Sequence, residues 1–219
     1  MKKIYLLAIL LIFTSIYAHQ PRLVENKITT VNNPIIIQNP EISQAFYGEL
    51  KSEPDYYKID SDKEFNLYVS LVVPDIKGAR KDFSLEIKTK DTLIILDAKS
   101  AKWNVFFEKF AGDNYFNGPE FDRKVNAGSY LIKVYNPDNQ GKYSLATGKI
   151  EAFPPKEAIH AIISLPKLKS FFQKSPLTAY FNFIGIFALI TIIFFAIVVI
   201  LILVIVNSIK KRNKNKIKI

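Results

Sequence analysis

Between Phe181 and Val206 the chain runs for 26 residues without an ionisable side chain. Ile, Val, Leu, Phe and Ala fill nearly all of it, and Asn182 and Thr191 are its only polar interruptions. As a helix rising ~1.5 Å per residue it is about 39 Å long, against a bilayer core of about 30 Å. A tilted span, or one whose ends lie among the headgroups, accommodates that length. The buried helix of a soluble domain is seldom so long or so uniformly apolar. Behind it, Lys210 to Ile219 carries six basic residues and no acid. The rest of the chain is therefore read as what this segment holds at a membrane.

The formal net charge of +10 belongs mostly to that topology. Of 30 basic residues, Lys2 and Lys3 precede the first apolar run and six follow the last, leaving 22 against 20 acidic residues. Lys and Arg accumulate on the cytoplasmic side of spanning helices, so the excess is a topology signal and nucleic acid is not an expected partner. The absence of Cys rules out disulfides, thiol catalysis, a Cys-ligated zinc and a lipid-bearing Cys. The sequence has no Asn-x-Ser/Thr sequon.

Residues 1–18 read as a signal peptide: a basic Lys2-Lys3, an apolar Ile4 to Ile16 and a small Ala18 at the cleavage point. An uncleaved second anchor is the alternative, and either arrangement puts the ectodomain outside and the tail inside. Residues 19–40 read as an extended arm, broken by Asn32, Asn33, Pro34 and Asn39. From Ile42 the apolar period becomes two. Phe65, Leu67, Val69 and Leu71 share one face, as do Phe83, Leu85 and Ile87, and Tyr130, Ile132 and Val134. Strands with one buried face produce this alternation. Turn signals separate them, among them Glu53-Pro54-Asp55 and Asn136-Pro137-Asp138-Asn139. The expectation is an all-β ectodomain over 41–152, an antiparallel β-sandwich, followed by one C-terminal transmembrane helix. That helix is placed at 177–209, with the basic cytoplasmic tail at 210–219. Residues 153–176 read either as a headgroup-level helix or as a helix packed on the sandwich.

Asp55-Tyr56-Tyr57-Lys58-Ile59, Ala127-Gly128-Ser129-Tyr130-Leu131-Ile132-Lys133-Val134 and Gly141-Lys142-Tyr143-Ser144-Leu145 resemble stretches of bacterial pre-peptidase C-terminal domains. The resemblance covers about residues 42–150 and implies a jelly-roll-like sandwich serving as an accessory or binding module, with no catalytic residues. Some relatives bind calcium, but Asp60, Asp62 and Glu64 lack the glycine and spacing of a calcium loop and read as a solvated turn. The layout also resembles eukaryotic cargo receptors with GOLD domains, but the paired Cys, the coiled coil and the terminal di-lysine of those proteins are missing.

The sequence has no Gly-x-Ser-x-Gly elbow, His-Glu-x-x-His helix or glycine-rich phosphate loop. Ser164-Leu165-Pro166-Lys167 matches Ser-x-x-Lys without its companion motifs. A non-catalytic binding or scaffolding module is expected, meeting the lipid bilayer and a protein or glycan ligand. The alternative is a copper protein. Cleavage after Ala18 makes His19 the N-terminus, and its amine and ring, with His160 as a third arm, suit Cu(II). Such a site resembles the histidine brace of periplasmic copper carriers and copper-dependent oxygenases.

The segment 101–121 holds Trp103, Phe106, Phe107, Phe110, Tyr115, Phe116 and Phe121. Without a clean period it reads as a long connection at one end of the sandwich, its aromatics either plugging the core or meeting a partner. Gly112-Asp113-Asn114 and Asn117-Gly118-Pro119 are turn signals that place Tyr115 and Phe116 at a loop tip. Trp103, Phe106 and Phe107 are therefore assigned to packing, and Tyr115 and Phe116 to partner binding.

Overall fold

Side chains alternate across an extended chain, so each period-two run has an apolar face to bury, and two sheets laid face to face bury both sets. The computed structural model describes residues 19–24, 27–108, 112–152, 154–181 and 183–216. The proposed signal peptide lies outside the described residues. Eleven strands are formed among the described residues: β1 (Gln20–Leu23), β2 (Ile35–Ile36), β3 (Gln44–Lys51), β4 (Asp55–Ser61), β5 (Phe65–Pro74), β6 (Ser84–Lys88), β7 (Leu93–Leu96), β8 (Asn104–Glu108), β9 (Asp113–Val125), β10 (Gly128–Tyr135) and β11 (Gln140–Thr147). One sheet has the order β1-β3-β11-β5-β9-β8 and the other β2-β4-β10-β6-β7. The segment read as an arm supplies the first strand of each. β1 runs parallel to β3 and β2 parallel to β4, while every other named pairing is antiparallel.

The alternating apolar faces point into one core. Phe65, Leu67, Val69, Leu71, Phe83, Leu85, Ile87, Ile132 and Val134 are all buried there. One polar chain crosses it. Tyr143 Oη donates to Asp55 Oδ2 at 2.7 Å and lies 2.8 Å from Tyr57 Oη. Thr29 Oγ1 donates to Asp55 Oδ1 at 2.9 Å, and Tyr56 N–H donates to Thr29 Oγ1. The hydroxyls of Tyr57, Tyr143 and Thr29 thus each have a partner, without which their burial is costly. Burial raises the pKa of Asp55, against the hydrogen bonds from Tyr143 and Thr29. Gly48 makes room for the Tyr143 ring, since a Cβ there would stand 2.5 Å from Tyr143 Oη.

Pro154 and Pro155 end the strand region, and Pro155 opens α1 (Pro155–Phe171) at a helix position where the missing N–H costs nothing. α1 packs on the sandwich. Arg22 Nη1 meets Glu157 Oε2 at 2.8 Å, and Lys142 Nζ donates to the carbonyl of Phe171 at 2.7 Å. Phe172, just past the helix, is buried against Tyr47 and Tyr115. Asp113 binds Lys169 Nζ at 2.6 Å and Lys174 Nζ at 3.1 Å, with all three side chains largely buried. One side of α1 is thus packed against the sandwich.

A 3-10 helix (Pro176–Tyr180) turns the chain into α2 (Phe183–Lys216). Leu189–Lys210, 22 residues with none buried, is long and apolar enough to cross a membrane.

Candidate functional site

The aromatic segment folds not as a loop but as an edge hairpin. β8 and β9 pair from Asn104↔Asn117 to Glu108↔Asp113. The loop-tip placement of Tyr115 and Phe116 is therefore corrected, because both lie inside β9 on opposite faces. Tyr115 is only 6% exposed, on the outer face of the six-stranded sheet. Its ring centroid is 6.0 Å from that of Phe106 and 5.9 Å from that of Phe172, and burial drives the pKa of its hydroxyl far up. Phe116 turns inward, half-buried against the core, with Lys81 Nζ 3.6 Å from its ring centroid. The turn signal Asn117-Gly118-Pro119 is a bulge. Ser70 pairs with Glu120 and Val72 with Asn117, so Gly118 and Pro119 stand where the register shifts. Gly118 has no side chain because the Trp103 ring lies against it.

Trp103 and Phe106 are half-buried and packed on neighbours, Trp103 also donating from Nε1 to the carbonyl of Ala98 at 3.3 Å. Phe107 departs from its assignment to packing: it is 59% exposed. The reason is the strand count. Six strands face five, and β7 lies against β9, so among the described residues β8 extends past the edge of the five-stranded sheet. Val105 pairs with Phe116 and so points to the inner side, as does Phe107, two residues on. Yet Val105 is 55% exposed. On neighbouring β7, Ile94 and Leu96 pack on the core while Leu93 and Ile95 face solvent.

This flank of the sandwich differs from the opposite one. There, β1 is covered by α1 through the Arg22–Glu157 pair and by the segment before it through a hydrogen bond from Gln20 Nε2 to the carbonyl of Ala152 at 2.6 Å. Here β7 and β8 each pair on one side only among the described residues. β7 has the sequence Leu-Ile-Ile-Leu, with neither charge nor proline to discourage further pairing. The exposed side chains that matter here, Leu93, Ile95, Val105 and Phe107, sit beside backbone N–H and C=O groups suited to another strand. The exposure of Phe107 required knowing that β8 overhangs, which no local pattern records.

The other expected residues lie elsewhere. His19 Nδ1 is 2.5 Å from Ser43 Oγ, and burial lowers the pKa of the ring. Ser43 is buried, and the contact fastens the start of β1 to the chain entering β3. His160 is exposed on α1. Asp60 pairs with Lys58 and Glu64 with Lys124. Among the described residues, no group of three or more His, Asp or Glu is arranged to hold a metal ion. A cleft of about 680 Å³ opens between the arm, the β3–β4 turn and α1. In its lining, Glu49 lies 3.2 Å from Lys51 and 3.9 Å from Lys142.

No family model matches the chain, and no curated protein matches it. Among solved structures, it is similar to the pre-peptidase C-terminal domain of collagenase from Bacillus anthracis. The identity is 15% and the TM-score 0.34, over 56% of this chain and 97% of that one. The two-layer fold is established by the strand pairing above, independently of this likeness.

Proposed function

We propose that this protein is a membrane-anchored, non-catalytic binding module that docks a protein partner along the β7–β8 flank by strand addition. The observation that carries the reading is β8 itself: an overhanging edge strand whose Val105 and Phe107 are exposed on the side where a core would be. An extended partner segment would pair with the edge backbone beside Val105 and Phe107 and cover these side chains, main chain giving affinity and side chains specificity. The sandwich faces outward and the basic tail the cytoplasm, a reading supported by Lys210 to Lys218 following the apolar helix. A photoreactive residue at Phe107 or Ile95 of the full chain, irradiated in native membranes, should yield one discrete adduct with another protein. The same probe at Ile36, an exposed residue of β2, should yield none. Adducts only from Ile36, or from no position, would refute the placement.

A further inference from the structure

The buried residues of α1, Ala161, Leu165, Leu168 and Lys169, share the side turned to the sandwich and the 3-10 helix. At 100° per residue, Ile159 and Ile163 fall on the opposite side. They are 59% and 69% exposed, and Lys156 and Lys167 are exposed beside them. Glu157, the one acid of α1, is turned away to Arg22. The outer face of α1 is thus apolar along its middle, basic at its flanks and free of negative charge.

The position of the apolar helix says what covers that face. Pro166 has no N–H to give the carbonyl of Ile162, four residues back, so that acceptor is left open inside α1. Tyr180 Oη donates to it at 3.3 Å, while Ala179 packs against Ala161 and Leu165. The chain entering α2 is thereby held beside the middle of α1, within the reach of one tyrosine. The corner is tight: Gly185 lies so close under the carbonyl of Tyr180 that no Cβ fits there. Leu177 and Phe181, exposed at this junction, extend the apolar surface toward α2.

We propose that α1 is a lipid-contacting helix. Ile159 and Ile163 sit about 5–10 Å into the headgroup–acyl boundary of an anionic bilayer, with Lys156 on its phosphates. The proposal rests on the reading that α2 crosses that bilayer. It makes the juxtamembrane helix a base plate that sets the sandwich at a fixed tilt.

The test uses the full chain in lipid nanodiscs, with Trp103→Phe removing the native fluorophore and a single tryptophan introduced elsewhere. Ile163→Trp should lose emission about twofold to lipids brominated near the glycerol, more in discs with anionic lipid than in neutral ones. Ile197→Trp, midway along α2, should be quenched by lipids brominated deep in the chain, and Leu93→Trp by neither. A bright Ile163→Trp beside a quenched Ile197→Trp would overturn the base plate and leave the span standing. An unquenched Ile197→Trp would remove the span and the proposal with it. Equal quenching of Leu93→Trp and Ile163→Trp would refute the assignment to α1. Quenching indifferent to lipid charge would refute the role of Lys156.

Discussion

Tyr115→Ala is the perturbation that separates a buried strand residue from an exposed loop residue most sharply. Tyr115 packs with Val72, Ala146 and Phe172 in the small cluster that joins the sandwich to α1. Its ring makes an edge contact with Phe172 and a tilted one with Phe106, and Lys174 Nζ stands 5.2 Å from its centroid. Truncating a buried aromatic costs about 3–5 kcal/mol, cavity included, and lost ring pairs contribute ~0.5–1.5 kcal/mol each to that figure. The site lies under one layer of cover, where Phe172 can settle partly into the gap, so the lower end, about 3 kcal/mol, is expected. Phe107→Ala removes a mostly exposed ring and should cost less than about 0.5 kcal/mol. The assay is urea denaturation of the full chain in detergent micelles, followed by Trp103 emission. With a slope of about 2 kcal/mol/M, Tyr115→Ala should lower the midpoint by roughly 1.5 M and Phe107→Ala by no more than about 0.25 M. A midpoint for Tyr115→Ala within that smaller margin of wild type would refute the buried placement.

Lys169→Ala strips a cation from a nearly solvent-free pair, a loss that ordinarily costs ~3–5 kcal/mol. Because Lys174 still holds Asp113, about 2–3 kcal/mol is expected, and a loss under about 0.5 by the same denaturation would show the pair to be open to water. Gly118→Ala should push the Trp103 ring off β9 and shift its emission to longer wavelength, at about 1–3 kcal/mol; an unchanged spectrum would contradict the contact. Asp55 holds its proton more tightly when folded, its pKa lying above the ordinary value of 3.8. The stability it lends is full below 3.8 and is lost as pH rises through the raised value. Asp55→Asn should abolish that slope in denaturation midpoints measured across the acid range, and an identical slope in the variant would refute it.

The sandwich was legible in the sequence wherever a strand is buried on one face. Phe65 to Leu71, Phe83 to Ile87 and Tyr130 to Val134 announce their inner sides because the core selects apolar residues at every second position. The apolar helix was legible because its composition is uniformly apolar over a length that could cross a bilayer. β1 and β2 were not. Four and two residues long, they are fixed by parallel pairing with β3 and β4, partners remote in sequence. β9 hid behind Gly118 and Pro119, turn formers that here occupy a bulge, and behind Tyr115, which faces outward yet is buried because Phe172 arrives from beyond α1. The exposed flank was illegible for a related reason: Val105 and Phe107 look like core residues, and only the count of six strands against five leaves them uncovered.

Strand addition at β8 has a direct readout in amide hydrogen exchange. Alternate N–H groups of an edge strand point away from its sheet and exchange quickly until another chain accepts them. The tagged full chain, taken from native membranes in polymer-bounded lipid discs, is compared with the same chain purified to homogeneity in discs of synthetic lipid. The account predicts that Asn104–Glu108 is protected in the native discs and exposed in the synthetic ones, while Gln20–Leu23 behaves alike in both. Equal, fast exchange of Asn104–Glu108 in both preparations would contradict it.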